Sequence, residues 1–318
     1  PSVKAAWAAF LLFHSGDSVV IIGYISALAA ALCWALSSLL AISPVRTLGA
    51  IPFNALRMTS VALLLSLWLL LSQRWHWPEP DVLWTLMASG FIGIFLGDTL
   101  LFVSMRILGP RLAGLLFACN APISFALGLW LLGESYYWLN LLGVGATTVG
   151  VFFAIASRTK TGGHQWEQSM GHVGLGLMAG LGAALCQSLG TLIVFDTLRA
   201  GQDPVFATLI RVAVAVVFLL LSLLVRGMSG TVLPYRVLSS TMVGQTILSG
   251  LLGMAVGMSL LLYAVKLAPL GTVAILSATT PVMVLPALWL TTRRRPSAAA
   301  FVSAIVVFLG TAMIFIAA

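Results

Sequence analysis

Gly90-Phe91-Ile92-Gly93-Ile94-Phe95-Leu96-Gly97-Asp98 has a counterpart in Gly250-Leu251-Leu252-Gly253-Met254-Ala255-Val256-Gly257-Met258, with glycine at the same three places of two otherwise apolar runs. The match does not stand alone. Ala30-Ala31-Leu32-Cys33 pairs with Ala183-Ala184-Leu185-Cys186, Arg57 with Arg211, Pro122 with Pro281, Leu129-Trp130 with Leu288-Trp289, and Gly150 with Gly310. Offsets between 153 and 160 residues keep these pairs collinear, so the chain repeats one unit. Each unit reads as five apolar runs of about twenty residues, the length that crosses a hydrocarbon core of about 30 Å. The ten runs fall near 20–42, 52–72, 83–107, 110–133, 136–156, 172–195, 204–225, 241–265, 269–292 and 297–317. An odd number of spans per unit makes the second unit enter the membrane from the opposite side. The expected fold class is an all-α integral membrane protein of ten transmembrane helices, arranged as two inverted five-helix repeats at 20–156 and 172–318 with a linker at 157–171. Residues 1–19 are expected outside the bundle. Within them 3–13 is apolar but too short to span, 14–18 is polar, and no clear small-residue cleavage site marks a signal peptide.

Composition agrees with a life in lipid. Of 318 residues, 16 are Lys or Arg and 8 are Asp or Glu, against roughly 80 charged residues in a soluble domain of this length. Sixty per cent of the chain is hydrophobic and the mean hydropathy is +1.09. These values exclude a soluble globular domain, a disordered chain and a disulfide-stapled secreted fold. A membrane barrel would need alternating strands of about ten residues rather than unbroken runs of twenty. The net charge of +8 sits between the apolar runs, where it meets lipid head groups and sets topology rather than binding nucleic acid. Cys33, Cys119 and Cys186 lie inside apolar runs with no disulfide or metal spacing.

An inverted repeat suits alternating access, because two inverted halves can exchange conformations and open a central site first to one face, then to the other. The residues also carry a resemblance. Trp34-Ala35-Leu36-Ser37-Ser38, Ala55-Leu56-Arg57, and Pro122 followed by Leu132-Gly133-Glu134 occur in the order found in the drug/metabolite transporter superfamily, and over about 20–318 the chain resembles its branch of two EamA-type five-helix repeats. Ala35 replaces the usual glycine, and the second half has Thr292-Arg293-Arg294-Arg295-Pro296 where a Gly-Glu pair would stand. The resemblance implies export or exchange of small metabolites such as amino acids, often driven by protons, across a bacterial inner membrane.

Few polar residues lie within the spans. Asp98 sits deep in the third, where a charge costs roughly 2.5–3.5 kcal/mol. It reads either as a proton-carrying carboxylate or as a structural acid, paired with an arginine or capping a broken backbone; its repeat partner is Met258. Arg57 and Arg211 could each hold a substrate carboxylate in a planar fork, pair in a gate, or snorkel to the head groups at opposite faces. Trp34 could stack on a substrate, face lipid or pack in the core, and its repeat partner Gln187 is polar inside an apolar run. Asn120 and Ser124 flank Pro122, and Thr280 precedes Pro281; these kinks either offer polar backbone to a cavity or are re-satisfied by the neighbouring hydroxyls. Tyr263 is a further cavity candidate, and Glu134 reads as interfacial. The glycine rows read as close-packing surfaces.

No His-Glu-x-x-His, Gly-x-Ser-x-Gly or phosphate-binding loop occurs, so no enzyme, metal or cofactor is expected. The expected partners are a small-molecule substrate, membrane lipids and protons, with the chain acting as a monomer or homodimer. The competing readings are an uncoupled sugar-phosphate or nucleotide-sugar antiporter and a scaffold without transport. Ten spans put both termini on one side. Four basic residues fall there and ten on the other, which places the termini outside, while the resemblance places them inside.

Overall fold

The computed structural model describes the backbone of residues 3–156, 172–228, 239–280, 282–283 and 298–316. All elements among them are helical: α1 (Val3–Leu48), α2 (Ala50–Leu71), α3 (Pro80–Ser89), α4 (Gly97–Phe117), α5 (Asn120–Leu131), α6 (Trp138–Ala156), α7 (Val173–Arg199), α8 (Pro204–Met228), α9 (Ser240–Gly250), α10 (Ser259–Leu267), α11 (Leu270–Ser277) and α12 (Ala298–Ile316). Two π-helical segments, Gly90–Leu96 and Leu251–Met258, join α3 to α4 and α9 to α10.

Among the described residues, six segments are long and apolar enough to cross a bilayer: Val19–Leu48, Ala50–Leu71, Pro80–Leu108, Val173–Arg199, Pro204–Val225 and Ser240–Leu267. Leu63, Leu67, Leu70 and Leu71 on α2, and Leu220, Leu221, Leu224 and Val225 on α8, are exposed, as lipid-facing side chains are. Trp77, Trp84, Trp130 and Trp138 are exposed close to helix ends, at the level where aromatic belts form. The chain is an integral membrane protein. Helices α5, α6, α11 and α12 fall within the four other expected spans. The expected linker at 157–171, Pro281, Leu288-Trp289 and the 292–296 stretch lie outside the described residues.

Two boundaries differ from expectation. Helix α1 starts at Val3, so the backbone of 3–19 continues into the first span rather than breaking at its polar residues. Helix α4 is assigned through Gly109-Pro110, where a loop was expected. A Cβ at Gly180 would nevertheless touch both Ser104 and Leu116. Twelve residues of straight helix cover about 18 Å, so the chain folds back between these two. The next break comes at Ala118-Cys119, just before Pro122. The second half breaks at the matching place, where α11 ends at Ser277 and a turn follows at Ala278-Thr279.

Helices α6 and α12 pack on each other through the matched pair Gly150 and Gly310. A Cβ at Gly150 would strike Val307, and one at Gly310 would strike the Thr147 backbone at 2.6 Å. Val149, Phe153, Ile305 and Phe308 face outward. This pair flanks the bundle.

Candidate functional site

The two glycine rows seat the arginine-bearing helices of the opposite half. A Cβ at Gly90 would lie 2.6 Å from the Arg211 Cα and carbonyl oxygen, so α8 approaches the third span backbone to backbone. Gly250 receives Arg57 on α2 in the same way, with 3.1 Å to its carbonyl oxygen. One turn further, the second glycine of each row makes room for a guanidinium. A Cβ at Gly93 would sit 3.0 Å from Arg211 Nη2, and one at Gly253 would sit 2.7 Å from Arg57 Nη2. Both glycines begin or lie within π-helical turns, which are rare and widen the helix locally.

Helices α1 and α7 complete the crossing. Ser249 donates to the Ser37 carbonyl at 3.1 Å, and Ser89 donates to the carbonyl of Gly190, the repeat partner of Ser37. Trp34 donates its indole N–H to the Gly253 carbonyl at 2.8 Å. The indole therefore pins the first span to the π-turn of the other half. Each half thus lays its first two spans on the third span of its partner.

At the crossing lie three charges. Arg57 Nη1 donates to Asp98 Oδ2 at 2.9 Å, with both side chains less than a tenth exposed. Phe102 lies under the Arg57 guanidinium, 5.3 Å from its centre. Arg211 is fully buried, and its Nη1 lies 3.4 Å from the sulfur of Met258, the repeat partner of Asp98. The field of Asp98 reaches both arginines. This corrects the snorkelling alternative. The glycines of the opposite half give each guanidinium space inside, so neither side chain runs out to the head groups.

A family model of the EamA-like transporter family matches residues 21–156 and 174–316, one stretch in each half. The chain belongs to the EamA-like transporter family. It is accordingly a membrane transporter of small molecules. A solved structure described as "Crystal structure of protein" matches with a TM-score of 0.71 at 18% identity, over 93% of this chain and 96% of that one, and speaks for a shared fold. No curated protein matches the chain.

The other expected site residues of this EamA-like transporter fall in three places. Gln187 is buried on α7, with its amide 3.5 Å from Thr191, and its backbone nitrogen would lie 3.8 Å from a Cβ at Gly97. Ser124 donates to Ser188 at 3.0 Å, and the Ser188 hydroxyl lies 3.0 Å from the Asn120 carbonyl, so the Pro122 break is stitched to α7. Thr280 donates to Ser277 O at 2.8 Å, within its own turn. Tyr263 is not brought to the crossing. It is 40% exposed beside buried Leu262 and Ala264, three residues before Lys266, where an amphipathic ring suits the interface.

Two features escaped the sequence reading. Buried Asn54 stands one turn before Arg57, and its Oδ1 and Nδ2, like Thr99 Oγ1, have no partner among the described residues. The i, i+3 spacing of Asn54 and Arg57 was the available signal. The second is Glu134. Gly133 takes φ +63°, a left-handed conformation suited to glycine, and ends α5. Glu134 then crosses to the other half, where its carboxylate accepts the N–H groups of Leu270 and Gly271, the latter at 3.2 Å, at the positive end of α11. Tyr136 donates to the same carboxylate.

Glu134 therefore clamps the two halves at one end. Glu134→Gln keeps the size but removes the charge from the α11 terminus. A cysteine replacing buried Thr272 should then react with maleimide about tenfold faster, equivalent to about 1.4 kcal/mol, within the worth of a hydrogen bond to a charged group. Unchanged reactivity would remove Glu134 from the clamp.

Proposed function

We propose that this protein is a secondary transporter that moves small metabolites, amino acids and related compounds among them, by alternating access, in the direction of export across a bacterial inner membrane. The observation that carries the reading is the crossed, symmetry-matched contact of the halves. Arg57 rests on Gly253 and Arg211 on Gly93, with Asp98 bonded to Arg57 and its charge felt by Arg211. Two arrangements related by the repeat symmetry can then trade places around one charged centre. Helix breaks before Pro122 and Pro281 interrupt two matched spans, and discontinuous helices are a feature of transporter sites.

Proton coupling through Asp98 belongs to this reading. A proton on Asp98 cancels its charge and loosens Arg57, so protonation and movement of the halves share one bond. The test is uptake and efflux in proteoliposomes with and without a pH gradient. Wild type should respond to the gradient, and Asp98→Asn should transport without responding. A gradient response kept by Asp98→Asn would end the role of Asp98. Exchange stimulated by solute on the far side and blind to pH throughout would favour the antiporter reading.

A further inference from the structure

The two halves treat their arginines unequally. Arg57 has a carboxylate at 2.9 Å, whereas at the equivalent place Arg211 has the sulfur of Met258 at 3.4 Å. Arg211 is also the more buried of the two, at 0% exposure against 5%. Its Nε and Nη2 have no hydrogen-bond partner among the described residues. Those two N–H groups share one edge of the planar guanidinium, the edge that grips a carboxylate with two parallel bonds. Gly93 keeps a side chain off Nη2, since even a Cβ there would come within 3.0 Å. The three charges at the crossing leave one positive charge over, and a buried cation without an anion is costly.

We propose that Arg211 is the anion anchor of the transport site and that it takes a solute bearing a carboxylate. The solute's carboxylate fills in the second half the role that Asp98 fills in the first. The inference rests on the transporter reading and adds the substrate class to it. The resident pair of Asp98 with Arg57 leaves no second acid for a solute cation, so the carboxylate is the group that is recognised, whether or not an amine accompanies it.

The experiment uses the full-length protein in detergent and in liposomes. The probes are benzoate, lactate and L-phenylalanine, each beside its amide, with inorganic phosphate as a second anion. The expected result is a rise in Tm of a few degrees with a carboxylate, none with its amide, and loss of the rise in Arg211→Gln. Met258→Asp restores the acid that the repeat lacks. It should raise Tm without any ligand, abolish the carboxylate response and reduce carboxylate counterflow at least tenfold. Arg211 as mere packing predicts the opposite for Met258→Asp, a lower Tm and an unchanged ligand response. Equal stabilisation by acid and amide, a response to phosphate alone, or silence of the whole carboxylate series would overturn the proposal. Counterflow of a neutral solute alongside such silence would leave the transporter reading standing, whereas a protein that moves no solute and never exposes its centre to either face would fail that reading first.

Discussion

Asp98→Ala is expected to lower the unfolding free energy by about 3–5 kcal/mol, because it strands Arg57 in a buried site without its carboxylate. The upper part of that range is expected, since the charge of Asp98 also reaches Arg211. Its loss leaves two buried cations without its charge. The double change Arg57→Met with Asp98→Leu should recover most of the stability, because a buried ion pair can often be exchanged for apolar residues at little cost. It should not recover transport. Denaturation in mixed micelles and transport in liposomes separate these two outcomes. A fully active double variant would make the pair a structural relic, and a stable Asp98→Ala would show that Arg57 finds another partner.

Gly90→Leu has the second large effect. The first atom of any side chain at Gly90 falls 2.6 Å from the Arg211 backbone, which has no rotamer to yield. Helix α8 must move away from the third span, and with it the Arg211 guanidinium leaves its seat over Gly93. The cost is expected at or above the upper end of the roughly 1–3 kcal/mol usual for overpacking. Gly145→Leu on α6 is the control, since nothing lies within 4 Å of a Cβ there. The comparison is made on the yield of monodisperse protein and on Tm. Equal behaviour of the two variants would contradict the close approach of α3 and α8.

The same pair of glycine rows shows how far the sequence could be read. Their spacing revealed the repeat, and small residues at that spacing pointed to helix contact. What they contact was not legible, because the partner helices come from the opposite half and no local pattern names them. The π-helical turns were equally hidden, since an extra residue in a helical turn leaves no compositional mark. Arg57 and Arg211 were judged by depth along their own helices, which made snorkelling plausible. The space that holds them inside is supplied by Gly253 and Gly93, more than a hundred residues away. Glu134 was visible as part of Leu132-Gly133-Glu134, yet its partners are backbone N–H groups of α11, which no side-chain motif announces. Tyr263 misled because polarity within an apolar run suits the lipid interface as well as a cavity.

Alternating access requires one position at the crossing to meet water from both faces in turn. Gln187, buried on α7 beside Gly97 and held by a single 3.5 Å side-chain contact, is the position to probe. The measurement places Gln187→Cys in a chain whose Cys33, Cys119 and Cys186 are alanine, and adds membrane-impermeant maleimide to sealed vesicles of each orientation. Labelling from both faces is the predicted result. Labelling from neither face, or from one face only under all conditions, would contradict it.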